Sequence, residues 1–104
     1  MSSLKDAIKE AIQSIDRVTD LLYKWNTSLA YEYLDETFRL LSSTIDQIFQ
    51  YQVNGHDIGI EVNNIMNILN LAMKAIEEKD TILLADILNY DLKELLKTAD
   101  TNII

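Results

Sequence analysis

Apolar residues return along this chain at alternating steps of three and four, the spacing that stacks side chains on one face of an α-helix. Leu4, Ile8, Ala11, Ile15, Val18, Leu22 and Trp25 form a first stripe. Leu34, Phe38, Leu41, Ile45 and Ile48 form a second, and Ile58, Val62, Ile65, Leu69, Ala72 and Ile76 a third. A fourth runs through Thr81, Ala85, Leu88, Leu92, Leu95 and Ala99. The shared rhythm predicts four helices of ~19–25 residues, each roughly 28–38 Å long.

The residues between the stripes agree. Ser2 or Ser3 is placed to cap the first helix, and Ser3 with Asp6 has the capping-box spacing. Asn26-Thr27-Ser28 offers a polar break with cap candidates for the second helix. In Asn54-Gly55-His56-Asp57, Gly55 suits the left-handed position past a helix end, and Asp57 is the expected cap of the third helix. Glu77-Glu78-Lys79-Asp80 makes a tighter junction, with Asp80 as the cap that follows. Trp25 and Tyr23 are expected to plug the end of the first helix, and Asn102-Ile103-Ile104 to fray.

Short connections force sequence neighbours to lie antiparallel. The predicted architecture is therefore an all-α, up-down-up-down four-helix bundle, with residues 1–104 as one domain. Proline is absent and glycine occurs twice, so the turn signals of a β-sandwich or barrel are missing. A chain of 104 residues with 48% hydrophobic content has enough apolar surface for a core without staples.

The stripes are wider than one core face requires. Tyr33, Thr37, Leu40, Thr44 and Tyr51 flank the second, and Ile68, Leu71 and Ala75 flank the third, as helices touching two neighbours would need. The fourth segment goes further. At ~100° per residue, Leu83, Ile87 and Tyr90 fall away from its seam, with Asp86 beside them and Asp91 at the border. These five residues are the interaction patch expected from the sequence, since contiguous exposed apolar surface marks interfaces.

Charge narrows the partners. Seventeen acids against nine Lys and Arg give a net charge of −8, and no local basic cluster offsets it. Such a surface repels phosphate, so neither nucleic acid nor an anionic membrane is an expected partner. Without cysteine there is no disulfide, thiolate metal site or thiol nucleophile. No apolar run approaches the ~20 residues of a membrane span, and the charged start MSSLKDAIKE lacks the core of a secretion signal. A cytoplasmic location is expected.

Catalytic constellations find little support. A carboxylate-bridged di-metal bundle needs Glu-x-x-His on two helices, but the single histidine, His56, lies in a turn with Val53 three residues before it. Acid pairs such as Glu32/Asp35/Glu36 and Glu77/Glu78 read as solvated faces and helix ends. Ser42, Ser43 and Thr44 have no histidine base nearby in sequence. Asn63, Asn64, Asn67 and Asn70 give the third segment an amide-rich face. The expectation is a protein that is not an enzyme and takes no metal or other cofactor.

The run from Ala75 to Leu92, AIEEKDTILLADILNYDL, resembles the ending of small helical proteins of Gram-positive bacteria such as clostridia and bacilli. Those share a K-D-x-x-L-L-A-D-x-L-x-Y-E/D-L pattern, matched here at Asp80, Asp86, Tyr90 and Asp91. The resemblance covers about one fifth of the chain. It implies a helical fold and supplies no activity, because the family has none assigned. Two functions follow as expectations. The first is a non-catalytic interaction module, adaptor or chaperone-like, binding a protein partner or itself through the fourth helix. The alternative is a small-molecule or metal-binding bundle using Asp86, Asp91 and a tyrosine.

Overall fold

The computed structural model describes residues 3–103, an all-α four-helix bundle with no strand among them. Ser2 and Ile104 lie outside the described residues. Helix α1 (Leu4–Tyr23) starts at Ser3, whose hydroxyl accepts from the Asp6 backbone N–H at 3.1 Å, while the Asp6 carboxylate accepts from the Ser3 N–H at 3.3 Å. The expected capping box is present. Helix α2 (Thr27–Val53) begins after Asn26, which makes no side-chain capping bond.

Three helices end in the same way. Past α1, the Trp25 N–H donates to the Leu22 carbonyl and the Asn26 N–H to that of Leu21. Gly55 and His56 repeat this pair of bonds past α2, and Lys79 and Asp80 repeat it past the third helix. The motif needs a left-handed residue, supplied once by Gly55 at φ 100°. Trp25 and Lys79 adopt it at φ 63° and 56°, a conformation that costs a residue with a Cβ about 1–2 kcal/mol. Trp25 is consequently no end-plug: its backbone has turned off the helix, and its ring is 71% exposed.

The third helix is shorter than its stripe. Asp57 does not cap it; instead its carboxylate accepts from the Gly59 N–H at 2.8 Å in an irregular strap over residues 56–61. Gly59 has φ 74°, which interrupts the helical path. The Gln52 side chain holds this strap by donating to the Ile60 carbonyl and accepting from its N–H, both at 3.1 Å. Ile58 and Ile60 are still buried, so the strap contributes to the core without being helical. Helix α3 (Val62–Glu77) follows.

The fourth rod comprises α4 (Thr81–Asp86), a π-helical stretch (Ile87–Leu92) and α5 (Lys93–Asn102). Asp80 caps it, its carboxylate accepting from the Leu83 N–H at 3.1 Å. The buried line runs Leu84, Leu88, Leu92, Leu96, in steps of four. In an α-helix each such step overshoots a full turn by ~40°. The wider i→i+5 turns take up that excess, as an extra residue does in a π-bulge. Leu96 thereby replaces Leu95 on the seam, and Ile87 is drawn inward. Asn102 and Ile103 do not fray: Asn102 Nδ2 donates to the Ile58 carbonyl at 3.0 Å, and Ile103 is buried.

Packing is centred on α1. It meets α2 on one side and the fourth rod on the other, and α3 packs on the fourth rod. Ser14 and Thr37 share a buried hydrogen bond at 2.6 Å, and Thr44 donates to the Ala7 carbonyl, so α1 and α2 run antiparallel. Lys93 to Asp16 at 2.6 Å and Lys5 to the Asp100 carbonyl at 2.9 Å set the opposite direction for the fourth rod. The backbones of α2 and α3 stay apart.

This phase shift predicts a contrast between neighbouring leucines. Leu96→Ala is expected to cost about 2–5 kcal/mol, and Leu95→Ala, from a half-buried site, about 1 kcal/mol. Urea denaturation midpoints of the two variants check the order.

Candidate functional site

The gap between α2 and α3 is an apolar groove. From α2 come Phe38, Leu41, Ile45 and Phe49, steps of three and four that keep them on one face. From α3 come Met66, Leu69 and Met73, at the same spacing. Leu41 and Ile45 are buried and form the floor; Phe38, Phe49 and Leu69 are half-buried walls. Met66 and Met73 stand at the lip, 48% and 51% exposed. Ser42 and Asp46 are the polar lining residues. The space between them measures about 370 Å³.

The groove follows from the packing order. In a closed bundle, a row of large apolar residues on α2 would be covered by α3. Here α1 and the fourth rod hold the two helices too far apart, so the α2 row is only roofed at its edges. Phe38 to Phe49 spans 11 residues, roughly 16 Å of open helix. Methionine suits the lip, since its unbranched, polarisable side chain adapts to differing shapes.

The residues expected as an interaction patch are divided. Leu83 and Tyr90 are exposed, Tyr90 by 62%, and Asp91 faces solvent. Ile87 is a correction. Only 5% of it is accessible, because the π-helical stretch turns it under the rod. Asp86 is half-buried and accepts a 2.5 Å hydrogen bond from the Tyr23 hydroxyl, across the seam between α1 and the fourth rod. Desolvation of the phenol, followed by the Asp86 hydrogen bond and charge, pushes the Tyr23 pKa up to about 12. What remains outside is Leu83 and Tyr90 around a polar pair, not a continuous apolar face.

Other positions read from the sequence stay separate. His56 is exposed and stacks on Tyr51 with ring centroids 4.3 Å apart. Asp86 and Asp91 do not converge on a cavity with a tyrosine: Asp86 is engaged by Tyr23, and Asp91 lies on the surface. Among the described residues no group of three or more His, Asp or Glu is placed to hold a metal ion. Among the described residues no helix is long and apolar enough to cross a membrane. Leu71, expected beside the core line of α3, is exposed.

The three-and-four spacing puts Phe38, Leu41, Ile45 and Leu69 on the apolar stripes and includes none of Phe49, Met66 and Met73. The signal that was available is the number of large apolar residues shared by α2 and α3. Which pair of helices would stay apart was not written in either stripe.

The raised pKa of Tyr23 carries a pH dependence. A phenol whose folded pKa exceeds the unfolded value of ~10 favours folding below pH ~10, and that contribution is lost as pH rises towards about 12. Tyr23→Phe is expected to flatten the decline in stability across that window and to remove the last tyrosinate absorbance step near pH 12. Denaturant titrations and ultraviolet absorbance from pH 9 to 12.5 measure both.

No curated protein and no solved structure matches the chain. A family profile does, over residues 1–101, and so covers nearly all of the bundle, the groove included. On that match the chain belongs to the family described as Domain of unknown function (DUF8042).

Proposed function

We propose that this chain is a non-catalytic protein-interaction module that receives an amphipathic helix of a partner in the groove between α2 and α3. One observation carries the reading: an apolar groove with half-buried Phe38 and Phe49 on one wall and exposed Met66 and Met73 on the other stays open between α2 and α3, where a closed bundle would seal it. An exposed apolar trench flanked by two antiparallel helices has the shape of helix-in-groove recognition. A docked helix would complete the packing, burying the methionine lip and the phenylalanine walls. The cytoplasmic setting expected from the charged start MSSLKDAIKE and the lack of a membrane-length apolar run is part of the same proposal.

The volume of about 370 Å³ also lies within the range of small-molecule sites, so an apolar ligand is the second reading. The trench form favours a helix, because a small molecule would keep one side in water. Leu83 and Tyr90 offer a smaller alternative surface on the fourth rod.

Selection from a displayed library of helix-forming peptides, followed by amide-exchange mapping, tests the proposal. Enriched peptides are expected to carry apolar residues at i, i+4 and i+7 and to protect Phe38–Phe49 and Met66–Met73. Met66→Gln/Met73→Gln should weaken them at least tenfold while leaving the thermal midpoint nearly unchanged. Protection confined to the fourth rod and abolished by Leu83→Glu/Tyr90→Glu would transfer the role there. An empty selection, with thermal stabilisation by small apolar molecules instead, would overturn helix binding.

A further inference from the structure

The lips of the groove carry three carboxylates that make no ion pair. On α2, Asp35 and Asp46 are 11 residues apart, which returns them to nearly the same angle, beside Phe38 and Phe49. Asp46 itself lines the trench. On α3, Glu77 lies 11 residues from Met66 and one turn beyond Met73, on the same edge. None of these three carboxylates has an ion-pair partner among the described residues. The one cation on the α2 lip, Arg39, is held by Glu36 through two hydrogen bonds. On α3, Lys74 lies three residues before Glu77 and roughly 80° round the helix from Met66, about the angle that separates Asp46 from Phe38, and it makes no ion pair among the described residues.

Resting on the helix-groove reading above, we infer that the occupant is a basic amphipathic helix, with an apolar face for the trench and Lys or Arg along both of its borders. Asp35 and Asp46 flank the α2 row and Glu77 follows the Met73 end of α3, so a helix seated there places its flanking positions against these three carboxylates. Within a Debye length of ~8 Å such charges are felt despite physiological salt. A second copy of this chain is the poorer occupant. It carries the same net charge of −8 and would set carboxylates against carboxylates along the contact. A nucleic acid or an anionic membrane meets the same repulsion.

Fluorescence anisotropy with four synthetic helical peptides of about 14 residues tests this. Three share leucines at i, i+4, i+7 and i+11 and differ only in their remaining positions, which are Lys-rich, Gln-rich or Glu-rich. The fourth scrambles the Lys-rich peptide so that it has no apolar face. Exposed ion pairs each contribute a factor of a few, so three together give about tenfold. The Lys-rich peptide is expected to bind about tenfold more tightly than the Glu-rich one, with the Gln-rich one between. The gap should narrow in 0.5 M salt and close in Asp35→Asn/Asp46→Asn/Glu77→Gln. Equal binding of all three amphipathic peptides, abolished by Met66→Gln/Met73→Gln, would overturn the charge preference and leave the groove standing. Equal binding of the scrambled peptide, or none by any, would remove both. A dimer in sedimentation experiments that Met66→Gln/Met73→Gln dissolves would give the groove to a second copy instead.

Discussion

The apolar stripe of α1 locates every other helix. Ile8, Ala11, Ile15, Val18 and Leu22 are fully buried, although they lie on a helix whose other positions are mostly charged or polar. A stripe can be wholly covered only if neighbours close on it from both sides, and α2 and the fourth rod do so. Removing such side chains from water contributes roughly 1.5–3 kcal/mol each, the dominant favourable term at this size. With α1 covered by those two, α3 needs only the fourth rod, and nothing draws it onto α2. The groove is the consequence.

Polar contacts set the register that the apolar stripes leave free. Thr37 donates to the Tyr33 carbonyl, so the Ser14 hydroxyl is the donor in their 2.6 Å contact, and both buried hydroxyls are satisfied. Among the described residues no buried side-chain nitrogen or oxygen lacks a partner. Lys93–Asp16 and Tyr23–Asp86 hold the fourth rod against α1 at two heights, one on either side of the π-helical stretch's centre. These bonds are directional where leucine contacts are not. They favour a single rotation of the rod, and the wider turns between them accommodate the extra residue.

A slab only 18 Å in its thin dimension holds two layers of helices, each about 10 Å across. Such a molecule has little depth in which to enclose a ligand and a good deal of surface along its 42 Å length. An open trench between outer helices is the concave feature that this shape accommodates. Phenylalanine walls give it area, and methionine lips give it tolerance. The uncompensated carboxylates would then select partners by charge rather than by close shape fit.

Much of the architecture was legible in the residues themselves. The three-and-four rhythm gave four helices, Ser3 with Asp6 gave a capping box, and Gly55 and Asp80 took the turn and cap positions their chemistry suits. Those features are local: they depend on neighbours within about one turn, so the sequence by itself determined them. Features that depend on a distant partner were not. Ile87 faces inward and Leu96 replaces Leu95 because α1 fixes the rotation of the rod around them. Gln52 clasps Ile60, and Asp57 loses its capping role to a strap. Phe38 and Phe49 border a groove instead of a sealed core because two helices are held apart by a third. Periodicity specifies which face is apolar; only the packing of the four rods decides how much of that face is covered.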